Sequence, residues 1–213
     1  MSVEFTTGLI KLQDIDRVIS IERQELRRMG LDDDQVDGYV PEASELESDI
    51  KRHPGSYLGM YAASELIAFA NTGKWTPDDD IPFARNNTEK MMLRISGVLG
   101  RHVMDYPMGI FRLGVDQDLD EVSTYRATHG ILSSLTRTAD FANSNIFMTV
   151  YNPAENPSVQ PLRDWNFIDT GQHISLENGT VRSAKYFRPK RTSGGRGRAI
   201  KNPIVSPEPR TAL

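Results

Sequence analysis

The chain has 213 residues, no cysteine and a formal net charge of −4, with 38% hydrophobic and 25% charged residues. That length and apolar share support one globular core and exclude a collagen-like or wholly unstructured chain. The missing thiols exclude disulfides, a thiolate nucleophile and Cys-based zinc or iron–sulfur sites. No run approaches the roughly 18 apolar residues of a membrane span, so the expectation is an untargeted, cytoplasmic protein with no membrane partner. Charge is uneven. Eight basic residues from Lys185 to Arg210 stand against Glu208 alone, a surplus of seven that leaves the rest of the chain near −11. An acidic body with a basic tail implies parts with different jobs, or a tail lying on its own acidic surface.

In chain order, Val3–Ile10 reads as a short strand. Leu12, Ile15, Val18/Ile19, Leu26 and Met29 then fall at helical spacing and end at Gly30, a residue suited to a helix C-terminus. The acidic stretch from Asp32 to Pro41 is expected to be a loop. Ala43, Leu46 and Ile50 mark a second helix ending before His53-Pro54-Gly55. Ser56–Ala62 and Glu65–Trp75 predict a hairpin about Ala63-Ser64, closed by Thr76–Asp80. Met91, Ile95, Val98/Leu99 and His102 predict a helix over Thr88–Met104, and Met108–Val115 a central strand. Val122, Tyr125, His129, Leu132, Leu135, Ala139 and Ala142 hold an amphipathic stripe for about six turns. Asn145–Tyr151 reads as a buried strand and Pro157–Trp165 as a short helix. Phe167–Leu176 and Thr180–Phe187 form a hairpin about Asn178-Gly179. Past Pro189 the apolar pattern stops, so the domain is expected over residues 1–188, with a disordered basic tail over 189–213. Strands and helices in this order imply an α/β chain with a mixed sheet and helices on both faces.

Four segments together resemble the GNAT superfamily of N-acetyltransferases: Gly109-Ile-Phe-Arg-Leu-Gly-Val115, Gly130-Ile-Leu-Ser-Ser-Leu135, the strand Ile146–Tyr151, and Asn156 through Asn166-Phe167. The resemblance implies a central mixed sheet flanked by helices, a coenzyme A thioester (most simply acetyl-CoA) as donor, and an unidentified amine as acceptor. It also implies that the backbone of Leu113, Gly114 and Val115 meets the thioester. Where the family carries spaced glycines against pyrophosphate, this chain has Arg126-Ala-Thr-His-Gly130. Arg126, Thr128, His129, Gly130 and Ile131 are thus its expected phosphate contacts, with Asn156 further on. Free amides at a helix start are what phosphate needs. The six-turn stripe places that start near Asp120, which would leave these amides inside the helix.

The family's usual acid, a Tyr before the Gly-Phe pair, aligns here with Arg163, which is permanently charged and a very poor proton donor. Tyr151, ending its strand, and Asp116, just past the central strand, are the candidate substitutes. The four histidines show no metal-ligand spacing, and His129 sits on the apolar stripe. Hydrolase, P-loop and zinc-protease motifs are absent. The leading reading is acyl transfer to an amine. Its rivals are a non-catalytic GNAT-like binding protein, and association with nucleic acid through Arg188–Arg198, a basic run without interleaved aromatics.

Overall fold

Apolar residues alternate along the strands and recur at three and four along the helices, and the two patterns sort onto one sheet and its two faces. The computed structural model describes residues 4–74, 108–142, 144–176 and 181–189. Its strands are β1 (Phe5–Leu9), β2 (Tyr57–Ala62), β3 (Glu65–Lys74), β4 (Met108–Val115), β5 (Ile146–Tyr151), β6 (Ile168–Leu176) and β7 (Val181–Arg188). They form a single sheet in the order β1-β2-β3-β4-β5-β7-β6. The β4–β5 pair is parallel and every other pair antiparallel. The helices are α1 (Ile15–Arg28), α2 (Asp33–Tyr39), α3 (Ala43–Arg52), α4 (Glu121–Phe141) and α5 (Val159–Asp164), with a 3-10 turn over Leu12–Asp14. This is the mixed α/β sheet with flanking helices that the sequence implies.

One face of the sheet is covered by α1 and α3, whose Ile15, Val18, Ile21, Leu46 and Ile50 pack on Tyr57, Leu66 and Phe69. The other is covered by α4 and α5. There Ala127, Ile131, Leu132, Leu135, Val159 and Leu162 meet Met60, Ile110, Val115 and Ile146. Of the stripe expected on α4, Leu132, Leu135 and Ala139 are buried, but Val122 and Tyr125 are exposed, and the core face runs instead through Ala127 and Ile131. The helix starts where Asp120 caps it, its carboxylate accepting the Ser123 N–H at 2.9 Å. Gly30 closes α1 at φ 88°, and the Leu31 N–H reaches back to the Leu26 carbonyl at 3.3 Å. That geometry favours a residue without Cβ.

The expected loop from Asp32 to Pro41 is instead largely helical. Asp32 caps α2 by accepting the Gln35 N–H at 2.9 Å, while the Gln35 side chain accepts the Asp32 N–H at 3.1 Å. This reciprocal cap, with Asp33 and Asp34 at the positive end of the helix, offsets the poor propensity of the acidic run. The turn Ala63-Ser64 has both residues left-handed, at φ 47° and 74°, as a tight two-residue hairpin requires. The predicted helix over Thr88–Met104, the stretch Thr76–Asp80, the turn about Asn178-Gly179 and the basic tail lie outside the described residues. Among the described residues no helix is long and apolar enough to cross a membrane.

Candidate active site

Two irregularities in the sheet shape the site. In the β2–β3 ladder Met60 faces Ala68 and Tyr61 faces Leu66, so Ile67 is an extra residue. Side chains and backbone from elsewhere take the displaced carbonyls: Arg17 Nε donates to Leu66 O at 3.1 Å and the Asp116 N–H to Ile67 O at 2.8 Å. In the β3–β4 ladder Asn71 faces Arg112 and Thr72 faces Ile110, leaving Phe111 extra. A bulge bends the strand that carries it, and the effect here is direct. The parallel ladder of β4 with β5 holds only Met108–Ile146, Gly109–Phe147 and Ile110–Met148. It stops where Phe111 begins. Beyond that point β4 follows β3 to Val115 and β5 follows β7 to Tyr151, so the two strands part around a wedge-shaped cleft.

Backbone N–H groups point alternately to the two edges of a strand. Since Asp116 N–H faces β3, the Val115 N–H faces the cleft. It donates to Glu25 Oε1 of α1 at 3.3 Å. Glu25 also accepts at Oε2 from Arg28, whose Nε lies at 3.0 Å and whose Nη2 makes a second bond. One turn earlier Glu22 forms an ion pair with Arg112 of β4, both largely buried. Burial pushes the Glu25 carboxyl above the ordinary carboxylate value, although Arg28 and the Val115 amide pull it back down. Nearby, Asn71 is 2% exposed and its Oδ1 has no hydrogen-bond partner.

The same helix is tied to both banks of the cleft. On the β4 side the Gln117 N–H donates to Gln24 Oε1 at 3.1 Å and Gln117 Nε2 to Gln24 O at 2.7 Å. On the β5 side Asn152, left-handed at φ 44°, donates from Nδ2 to Met29 O at 3.2 Å.

No family model matches the chain, and no curated protein matches it. Solved structures do. The C-terminal condensation domain of Ebony, in complex with beta-alanyl-dopamine, matches with a TM-score of 0.64 and 13% identity over 88% of this chain and 99% of that one. The putative acetyltransferase yncA from Salmonella typhimurium, with its cofactor acetyl-CoA, matches with a TM-score of 0.61 and 10% identity over 92% and 99%. A GNAT-family acetyltransferase from Streptococcus pneumoniae gives 0.59 and 11% over 88% and 99%. The chain has a GNAT-like fold.

Within that GNAT-like frame the expected site residues separate into two groups. Leu113, Gly114 and Val115 line the β4 bank of the cleft, and Tyr151 ends the β5 bank. Gly114 is required for packing, because a Cβ there would sit 2.6 Å from Phe69 Cε1 and 2.9 Å from Ile21 Cγ2. The residues expected to contact phosphate lie along α4. Thr128, His129, Gly130 and Ile131 stand in the interior of α4, where their N–H groups bond to carbonyls one turn back, so they offer no free amides. Arg126 is exposed on the same helix. His129 stacks on Tyr125 with ring centroids 5.7 Å apart and meets Trp165 at 5.1 Å, a packing role. Among the described residues no cluster could hold a metal ion.

At the true start of α4 the positive end is already served by Asp120, whose carboxylate accepts from both the N–H and the hydroxyl of Ser123. Those bonds hold its carboxyl below the ordinary value. Glu121 follows in the first turn, and Asp116 and Asp118 precede it. Pyrophosphate thus finds carboxylates at this helix end where it needs free amides, and the site does not fit that part of coenzyme A. Asn156 stands in the turn before the short helix α5, its Oδ1 accepting the Ser158 N–H at 2.9 Å. Asp116, a candidate acid, is 4% exposed and forms an ion pair with Arg17, while its Oδ1 accepts the Asp118 N–H at 3.2 Å. It organises the turn after β4.

Gly130 has a packing reason as well. A Cβ at that position would collide with the Cε methyl of Met60 on β2. Alanine is tolerated if that flexible thioether swings aside, but Gly130→Val is expected to cost about 1–3 kcal/mol by overpacking. Thioester affinity of the folded variant should stay at the parent value. Chemical denaturation and a coenzyme A titration measured side by side check this, and a selective loss of affinity would return the phosphate to this helix.

Sequence reasoning passed over Glu22 and Glu25. The signal was present: the stripe that runs through Val18 and Leu26 needs apolar side chains near 22 and 25, and both are acids. Acids on a buried stripe are costly unless paired, so each implies a partner across the interface.

Proposed function

We propose that this protein transfers an acyl group, most simply acetyl, from a coenzyme A thioester to an amine. The carrying observation is the cleft between β4 and β5, opened by the Phe111 bulge and presenting the Val115 N–H at its β4 bank. An N–H group fixed in a buried strand suits the oxygen of a thioester carbonyl, and more so the oxyanion that forms on attack. The neutral amine nitrogen bonds to the carbonyl carbon and gives up a proton to a base, the carbon–sulfur bond breaks, and the departing thiolate takes a proton from Tyr151 on the opposite bank, which solvent then restores. No acyl-enzyme is needed, which agrees with a chain that has no cysteine. The cleft receives the thioester arm, while the nucleotide end is not anchored by the first turn of α4. The acidic body favours a cationic acceptor.

The assay is thiol release from acetyl-CoA in the presence of primary amines of graded length and charge, with acetylated product identified by mass. Amine-dependent release carries the proposal; coenzyme A binding without release from any amine overturns it. A second reading, a GNAT-like binding protein without catalysis, draws support from the Asp120 cap at the helix end where pyrophosphate would bind. It predicts no affinity for coenzyme A at all.

A further inference from the structure

Among the backbone groups at the cleft, the Val115 N–H is distinguished by its partner. Strand N–H groups without a ladder usually find water; this one is held by the carboxylate of a helix on the sheet's face. Glu25 thereby takes up the position that a thioester oxygen would need. Its second oxygen is secured by Arg28, so the carboxylate is tethered at one end and bonded weakly, at 3.3 Å, at the other. Two other buried acids beside β4 are matched to cations, Glu22 with Arg112 and Asp116 with Arg17. Glu25 is therefore the acid of this group whose bond to the cleft wall can be exchanged without stranding a buried cation, because Arg28 stays with it.

Resting on the acyl-transfer reading, we infer that Glu25 is a resident stand-in for the thioester carbonyl, displaced from Val115 when the donor enters, and that the displaced carboxylate then accepts the proton of the attacking amine. The chemistry of the exchange is balanced. The Val115 N–H leaves a carboxylate oxygen for the carbonyl oxygen, and no covalent bond changes until the amine attacks. In the transfer step the nitrogen–carbon bond forms, the proton on nitrogen passes to Glu25, and the carbon–sulfur bond breaks. Losing an N–H donor makes a carboxylate a better proton acceptor. Arrival of the donor thus activates the base, and a base without donor stays quiet. Because the tether to Arg28 lets the carboxylate move only a short way, it remains beside the carbonyl carbon, where the amine must approach.

Two variants separate the two roles. Glu25→Gln keeps an oxygen on the Val115 N–H but has no basicity; Glu25→Ala removes both. Acetyl-CoA is expected to bind Glu25→Ala about three- to tenfold more tightly than the parent, the size of one modest hydrogen bond no longer in competition. It should bind Glu25→Gln nearly as it binds the parent. Turnover should fall about 10²–10⁴-fold in both, as for loss of a positioned base. Equal donor affinity in the parent and the Ala variant overturns the stand-in, and full turnover in Glu25→Gln overturns the base, even if amine-dependent transfer by the parent is sound. In the parent itself, the Val115 amide and the Glu25 carboxyl carbon should both shift in NMR spectra on saturation with acetyl-CoA. A stationary Glu25 signal rejects the exchange without recourse to a variant, and does so whether or not any amine is acetylated.

Discussion

Asp140→Ala is expected to destabilise the fold by about 3–5 kcal/mol, read as a lowered urea midpoint at unchanged slope. Arg188, the last residue of β7, is 3% exposed. Its Nη1 and Nη2 donate to the two Asp140 oxygens at 2.8 and 3.0 Å, and its Nε donates to Trp165 O at 3.1 Å. One guanidinium thus joins the last turn of α4, the end of β7 and the exit from α5. Without Asp140 a buried cation keeps a single backbone acceptor, which is the costly way to break such a pair. Arg188→Ala should cost less, since the Asp140 side chain is 23% exposed and can turn to water. Removing residues 190–213 spares this clamp and is expected to leave the melting temperature nearly unchanged; a large drop would mean that the basic tail packs on the acidic body.

Tyr151→Phe should retain thioester binding and lose about 10²–10⁴-fold in turnover. Tyr151 is the last residue of β5, paired with Ser183 on β7, and next to it Asn152 ties the strand to the end of α1. It therefore ends the bank opposite Val115, across the gap in which the carbon–sulfur bond would break. Phenylalanine keeps the ring and removes only the hydroxyl, so a packing role predicts little change in either quantity. Full activity in the Phe variant would pass the proton transfer to water. A fall in donor affinity equal to the fall in turnover would make Tyr151 a binding residue.

What the sequence revealed was local. The Gly30 stop and the Ala63-Ser64 hairpin each depend on residues within a few positions of one another and lie where the sequence puts them, whereas the stripe read on α4 matches its buried face only at Leu132, Leu135 and Ala139. Asp32 and Gln35 were equally local, but their acidic neighbours mask the helix unless the reciprocal cap is noticed. The cleft is of another kind. It exists because Phe111 is the extra residue of a bulge opposite β3 and because β5 turns to β7, and both are facts about register between distant strands, which no single strand encodes. Glu25 meets Val115 across 90 positions. A misplaced acid on α1 could be read from the chain, but the amide that it serves could not. Gly130 is ambiguous for a further reason: a glycine that lets a helix lie on Met60 looks, in sequence, the same as one that lets a phosphate approach.

The three-pair ladder between β4 and β5 also bears on how the chain reaches this state. β2 with β3 and β6 with β7 close on nearby sequence, whereas β1–β2, β3–β4 and the β4–β5 seam all join distant segments, as in Leu9–Leu58, Lys74–Met108 and Met108–Ile146. The seam has α4 between its strands and holds three register pairs. Non-local pairing pays its loop-closure entropy before it gains any contacts, and is slow for that reason. Refolding should therefore start at the β2–β3 hairpin, with the seam joining later. In pulsed hydrogen exchange the amides of β2 and β3 should become protected before those of Ile110 and Met148; simultaneous protection would mean that the seam forms with the hairpin, and the gap beside it would then be as old in folding as the sheet itself.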